Sequence, residues 1–360
     1  MSRRRWRIAF AAATMALAAT ALPFGRLRHL ALPLLHDPSV HADEGTRLAI
    51  GDPVAGEALE RTQLPGRISA ILPRADGVVF VGTFDSGLYR FDPAHDRSPR
   101  EVAALDGRER FVDALVEWKG RIVAGTHRGA VVLAPDGRRA GVLAAGQAVS
   151  SLAVVGDELL IGTAHGLWRG GDDAPAGERG PDGEVLRITA LAVTPANDGA
   201  GDRVWIGTPD GVYEARAPLR AQVAMWHPLV FGSPGATSNV VTALSAVDGG
   251  VVAGTDDGGL VFLDDRGVDA RPFADRRAND INPGALVFAR GRIFAGSEGA
   301  GLIALDAART HARKVGWPAR VSAVASTRTD LWFGSEEGAL YVTPNVTPWP
   351  SPSPRPGSSG

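Results

Sequence analysis

The chain has 360 residues, 44% of them hydrophobic, which is enough to bury a large core and excludes a disordered protein. Thirty-eight basic residues against 40 acidic ones leave a net charge of −2, so no general attraction to nucleic acid is on offer and nucleic acid is not expected as a partner. Cysteine is absent, which excludes disulfides, thiolate metal sites and cysteine nucleophiles, while 45 glycines and 25 prolines in so apolar a chain point to many tight turns.

The N-terminus has its own pattern. Arg3, Arg4, Arg5 and Arg7 precede an uncharged run from Ile8 to Phe24, and Ala19-Thr20-Ala21 offers small residues where an exporting peptidase reads them. A cleaved secretory signal fits an alanine-rich segment ending near Pro23 better than an uncleaved anchor does, although the run is near the lower length limit of a spanning helix. The expected organisation is a signal peptide or membrane anchor over 1–25, a linker over 26–55, a folded body over 56–342 and a proline- and serine-rich tail over 343–360. The body is expected to be periplasmic or secreted, with residues 8–24 as the one membrane contact if they are retained.

Seven short apolar runs ending in Gly-Thr or Gly-Ser then recur along the body, with marker glycines at Gly82, Gly125, Gly162, Gly207, Gly254, Gly296 and Gly334. Their spacings of 43, 37, 45, 47, 42 and 38 residues match the blade of a β-propeller and not the period of a helical or leucine-rich solenoid. About ten residues before each marker lies a strand of small residues, as in Ile68-Ser69-Ala70-Ile71 and Val321-Ser322-Ala323-Val324, with Pro283-Gly284-Ala285-Leu286 as a degenerate sixth copy. Small side chains suit an innermost strand crowded against its counterparts about an axis. The marker strand is apolar throughout, as a strand covered on both faces must be. A tight hairpin follows, carrying Gly87, Gly129, Gly166, Gly258 or Gly338, then a third strand of alternating pattern and a weaker fourth.

Uncovered faces and open edges are both costly, so seven such units are expected to close into a ring. The expectation is an all-β protein, a seven-bladed β-propeller of four-stranded antiparallel blades. The last repeat has no fourth strand of its own, and Ala58 to Leu64, just before the first repeat, is expected to supply it. Leu48 to Asp52 resembles a marker strand without a preceding inner strand, so an eighth blade is disfavoured.

Leu331-Trp332-Phe333-Gly334-Ser335 through Leu340-Tyr341, and Val204-Trp205-Ile206-Gly207-Thr208 through Val212-Tyr213, resemble the two-component regulator propeller repeats, and the likeness runs over all seven units from about Arg67 to Val342. The resemblance implies a periplasmic sensor-type propeller. In that family some members recognise saccharide fragments and are joined to a further β-domain, a membrane helix and a kinase. No such parts are read in this chain, so the expectation is a monomeric, extracytoplasmic binding module.

Candidate site residues fall at two places. The residue leading into the inner strand is Arg67, Arg187 and Arg320 in three repeats and Asn282 in the sixth, and three arginines around a channel mouth suit a carboxylate, sulfate or phosphate. Trp317 is near enough in sequence to Arg320 to stack on the same ligand. Each arginine can equally pair with a neighbouring carboxylate, and the tryptophan can equally pack in the core. At the hairpin tips, Asp85, His127, His165 and Asp210 are a weak candidate set for a divalent cation, although an acid before glycine is also ordinary turn chemistry. No cofactor is predicted, and no esterase elbow, zinc-protease helix or phosphate loop is present. The expected partner is a small polar or anionic ligand or an envelope protein. A lyase or hydrolase using His127 or His165 with a carboxylate is the alternative.

Overall fold

The computed structural model describes residues 60–102, 104–171, 183–195, 201–219, 225–227, 240–264, 271–272, 280–289, 291–305, 312–314 and 320–344. The chain divides into two units, Met1–Ala49, which lies outside the described residues, and Ile50–Gly360, which holds the strands of the described residues. Among the described residues no helix is long and apolar enough to cross a membrane. The expected signal or anchor over 1–25, the linker and the proline-rich tail beyond Pro344 fall outside them.

The second unit is all-β. After β1 (Glu60–Gln63), sheet 1 comprises β2 (Ile68–Pro73), β3 (Val79–Thr83), β4 (Leu88–Asp92) and β5 (Asp96–Glu101). Sheet 2 comprises β6 (Val112–Trp118), β7 (Arg121–Thr126), β8 (Gly129–Leu133) and β9 (Arg139–Leu143), and sheet 3 comprises β10 (Val149–Val155), β11 (Glu158–Thr163) and β12 (Gly166–Arg169). Sheet 4 contains β13 (Ala190–Thr194), β14 (Arg203–Thr208), β15 (Gly211–Arg216) and β16 (Met225–His227), and sheet 5 contains β17 (Val241–Val247), β18 (Gly250–Thr255), β19 (Leu260–Asp264) and β20 (Arg271–Pro272). Sheet 6 is formed by β21 (Ile281–Ala289), β22 (Arg292–Ser297), β23 (Gly301–Leu305) and β24 (Ala312–Lys314). In sheet 7, β25 (Val321–Ser326), β26 (Asp330–Ser335) and β27 (Ala339–Pro344) are joined on the outside by β1, with Glu60 opposite Val342 and Gln63 opposite Ala339. All pairings within the sheets are antiparallel.

The core is divided among the sheets. Val79, Val81 and Tyr89 of sheet 1 pack with Ala323, Trp332 and Leu340 of sheet 7, whereas Phe80 and Leu88 face the other way, onto Val112, Ile122 and Val131 of sheet 2. The same division recurs between sheets 2 and 3, 3 and 4, 4 and 5, 5 and 6, and 6 and 7. A strand that serves one cluster with its odd residues and another with its even ones must be apolar at every position, as the marker strands are.

The marker dipeptide itself has two separable jobs. In five repeats the threonine hydroxyl donates to the carbonyl of the hairpin glycine, at 2.8 Å for Thr83 and Gly87, 2.8 Å for Thr126 and Gly129, 2.9 Å for Thr163 and Gly166, 3.0 Å for Thr208 and Gly211, and 2.9 Å for Thr255 and Gly259. It also accepts a backbone N–H from the tip, so one side chain locks each hairpin. In the fifth repeat the carbonyl belongs to Gly259, where the sequence suggests Gly258, because the loop is one residue longer than in sheets 2 to 4.

The glycine is a socket. A Cβ on Gly82 would lie 2.6 Å from Val112 Cγ1, on Gly125 2.7 Å from Val149 Cγ1, on Gly162 2.6 Å from Ile188 Cγ2, on Gly207 2.6 Å from Val241 Cγ1 and on Gly254 2.7 Å from Ile281 Cγ2. Gly296 faces Val321 in the same way, and Gly334 faces Ile68, which returns the series to sheet 1. Each plug is a β-branched residue at the start of the next sheet's first strand or, for Ile188, two residues before it, and all seven are buried.

A hydrogen bond accompanies most sockets. The first strand bulges one residue after the plug, and the polar bulge residue reaches the plug carbonyl of the next sheet. Ser69 donates to Val112, Ser150 to Ile188 at 2.7 Å, Thr242 to Ile281 at 2.6 Å, Asn282 to Val321 at 2.7 Å and Ser322 to Ile68 at 2.6 Å.

Adding one methyl group at a socket tests this packing. Gly207→Ala is expected to lower stability by about 1–3 kcal/mol, the ordinary cost of overpacking. Gly141→Ala, in β9 with nothing within 4 Å of the added carbon, is expected to leave it unchanged or slightly raised. Urea denaturation midpoints of the two variants separate the cases.

Candidate functional site

The hairpin tips and the residues leading into the first strands lie side by side, because a backbone bond joins them within one sheet. The N–H of Phe84 donates to Arg67 O, of His127 to Phe111 O, of Asp256 to Val240 O and of Glu336 to Arg320 O, at 2.9, 3.3, 3.1 and 3.3 Å. A tip side chain and a lead-in side chain therefore share one surface in each of these sheets.

Between sheets 7 and 1 this surface gathers two of the predicted arginines. Glu336 places Oε1 at 3.7 Å from Arg67 and Oε2 at 3.4 Å from Arg320, so one carboxylate stands between two guanidinium groups. The Arg67 guanidinium also donates to Asn282 Oδ1 at 3.3 Å. Asn282 is fully buried and is held in turn by its bond to Val321 O. Arg67 Nε is buried without a hydrogen-bond partner.

Asn282 reaches this place by a route the sequence conceals. It was expected to lead into the sixth inner strand, but Ile281 pairs with Ser297 as Val321 pairs with Ser335, which makes Ile281 the plug and Asp280 the lead-in residue. The register resumes only at Leu286, so the bulge of β21 is two residues longer than in the other first strands and carries Asn282, Pro283 and Gly284. A Cβ on Gly284 would sit 3.7 Å from Ser69 O, so this bulge spans sheet 7 to meet sheet 1.

The other predicted residues fall elsewhere. Arg187 is exposed before sheet 4, which sheets 5 and 6 separate from sheet 7 in the neighbour series. Trp317 lies outside the described residues. His127, His165, Asp85 and Asp210 are not brought together: His165 bonds Gln147 at 2.9 Å, Asp85 accepts from Ser86 at 2.8 Å, and Asp210 is an exposed tip residue. Among the described residues no three His, Asp or Glu side chains meet in a way that could hold a metal ion.

His127 has a partner that the sequence reading missed. Its Nε2 is 2.9 Å from Asp113 Oδ2, and its ring stacks on Phe111 at 4.9 Å with Phe84 edge-on at 5.8 Å. Asp113 occupies the bulge position of sheet 2, where its counterparts are serine, threonine or asparagine. An ionised carboxylate cannot donate to the next plug carbonyl, so this position gives up the hydrogen bond that Ser69 and Ser322 make. The signal was available as one acid in a column of neutral donors. Glu336 was legible only as one of many acids at hairpin tips, and nothing in the sequence sets it beside Arg67.

The turn leading into sheet 2 is fixed by a separate ion pair. Arg139 of β9 grips Glu109 with two bonds, of 2.6 and 2.8 Å, and these hold the buried Glu109 carboxyl below the usual glutamate range despite the opposing effect of burial.

No protein-family profile and no curated protein sequence matches the chain. Among solved structures it is similar to the extracellular domain of BT4673 from B. thetaiotaomicron, assigned in one crystal structure to a one-component system and in another to a hybrid two-component system. The TM-scores are 0.61 and 0.62 at 16% identity, over 79% of this chain and 39% of that one, so the chain spans about two fifths of that domain. It is also similar to a computationally designed protein, Ika8, with a TM-score of 0.52 and 19% identity over 79% of this chain and 98% of that one. At these identities the likeness is one of fold.

A depressed carboxyl pKa stabilises the fold above the ordinary glutamate range, and the contribution is lost as the pH falls through the lowered value. Glu109→Gln is therefore expected to cost about 1–3 kcal/mol near neutral pH, with the difference from the unsubstituted protein shrinking in acid. Guanidinium denaturation at a series of pH values measures it, and a pH-independent difference contradicts the assignment.

Proposed function

We propose that the seven sheets are the blades of a closed seven-bladed β-propeller related to the two-component regulator propeller repeats, and that this chain acts as a binding module outside the cytoplasm. Three features support closure: sockets that run from Gly82 round to Gly334, the bond from Ser322 to Ile68, and the strand that β1 adds to sheet 7. The structural likeness to an extracellular domain assigned to a signalling system supports the location and a sensory role. The N-terminal 25 residues export or anchor the body, and the propeller works as a monomer in the periplasm or as a secreted protein.

One observation carries the binding reading: Arg67, Arg320 and Glu336 meet on the surface formed by the tips and the lead-in residues, and the buried Asn282 of a third blade supports Arg67 from beneath. Polar groups from separated parts of a chain that meet at a propeller mouth suit recognition of a small polar or anionic ligand, with the blades as a rigid frame. Screening polar and anionic metabolites by thermal shift on the full-length chain is expected to find a ligand whose effect is lost in Arg67→Ala with Arg320→Ala. No shift from any compound, together with no partner copurifying from an envelope extract, contradicts the reading.

The Asp113–His127 pair supports a second reading, a propeller enzyme in which His127, oriented by Asp113, acts as a base. His127→Ala is expected to leave ligand affinity within about twofold. If the unsubstituted chain turns its ligand over and the His127→Ala variant does not, the enzyme reading replaces the binding one.

A further inference from the structure

We infer that Arg67 and Arg320 form a clamp for the carboxylate of a ligand, and that Glu336 occupies this clamp as an internal stand-in which an incoming carboxylate displaces. The inference deepens the binding-module reading and rests on it for its biological meaning.

Four observations point the same way. The Glu336 contacts, at 3.4 and 3.7 Å, are long for arginine and carboxylate, whose charge-assisted bonds usually measure about 2.7–2.9 Å. Elsewhere the same chain makes such bonds well, at 2.6 and 2.8 Å between Arg139 and Glu109 and at 2.6 Å between Arg100 and Asp96. The Arg67 guanidinium is positioned by a buried asparagine, yet its Nε has no acceptor, an arrangement that costs free energy unless something fills it. Two positive groups share one negative one, which leaves the cluster with a formal charge of +1, and neither arginine has another acidic partner among the described residues.

Glu336 is suited to leave. It stands on the hairpin between β26 and β27, beside the exposed Glu337, and its backbone bond to Arg320 anchors the tip independently of the carboxylate. A free carboxylate entering from solvent has no tether. It can settle between the two guanidinium groups at ordinary hydrogen-bond distance. A tethered competitor acts at high effective concentration, so Glu336 excludes simple carboxylates and admits those that bring further contacts.

Emptying the clamp tests this by chemical rescue. In the full-length Glu336→Ala chain, sodium acetate is expected to raise the melting temperature above that in sodium chloride of equal ionic strength, saturably, by about 3–5 °C at ten times the dissociation constant. The unsubstituted chain and the Arg320→Ala, Glu336→Ala double variant are expected to respond equally to the two salts. Equal melting temperatures in acetate and chloride for Glu336→Ala overturn the clamp, as does an equal acetate response in the double variant, or a response to phosphate with none to acetate. Should Glu336→Ala not fold by circular dichroism, Glu336→Gln removes the charge while keeping the shape, and the same comparison decides. The two readings fail separately. Acetate rescue with neither a hit in the ligand screen nor a partner copurifying from an envelope extract leaves the clamp and removes the binding module, whereas a screened ligand without acetate rescue does the reverse.

Discussion

The structure depends on one steric fit, a β-branched side chain seated over a glycine of the preceding sheet. The marker glycine lacks a Cβ because the space belongs to Val112, Val149, Ile188, Val241, Ile281, Val321 or Ile68. This contact sets how closely consecutive first strands approach, and the approach brings the bulge hydroxyls within reach of the neighbouring carbonyls. Where the strands are this close, hairpin tips and lead-in residues of adjacent sheets are near enough for one side chain to cross a seam. Arg67 does so to reach Glu336, and the long bulge of β21 brings Asn282 to it from one sheet further. The site is thus a by-product of packing that the chain repeats for mechanical reasons, with a few columns given over to unusual residues.

That division explains what could be read from sequence. The repeats, their strands and the use of Ala58 to Leu64 to complete the last sheet were legible because each rests on local periodicity or on a missing strand, and β1 pairs with β27 accordingly. The Gly-Thr marker was visible too, but its physical content was not. One sequence does not reveal that the glycine serves the next sheet while the threonine serves its own hairpin. Asn282 was singled out and placed in the wrong column, because a two-residue insertion within a bulge leaves composition and period almost untouched.

The candidate site was half legible for a related reason. Arg67 and Arg320 stand out as two of three arginines in one column, and the structure does bring them to one carboxylate. Arg187 occupies the same column and lies before a sheet well removed in the neighbour series, since a column records position within a repeat and not proximity between repeats. The pairing of His127 with Asp113, in place of another hairpin acid, follows the same logic. A tip residue meets the first strand of its own sheet before it meets a tip elsewhere.

The strand that β1 contributes has a mechanical consequence. Glu60 stands opposite Val342 and Gln63 opposite Ala339, so the chain enters and leaves this sheet at the same end of an antiparallel pair. Tension applied to the polypeptide on both sides would load these bonds singly, from Glu60 inward, like a zipper and not like a lap joint. Such geometry yields at low force, and the socket of Gly334, filled by Ile68 five residues beyond Gln63, would be the next barrier to the pull.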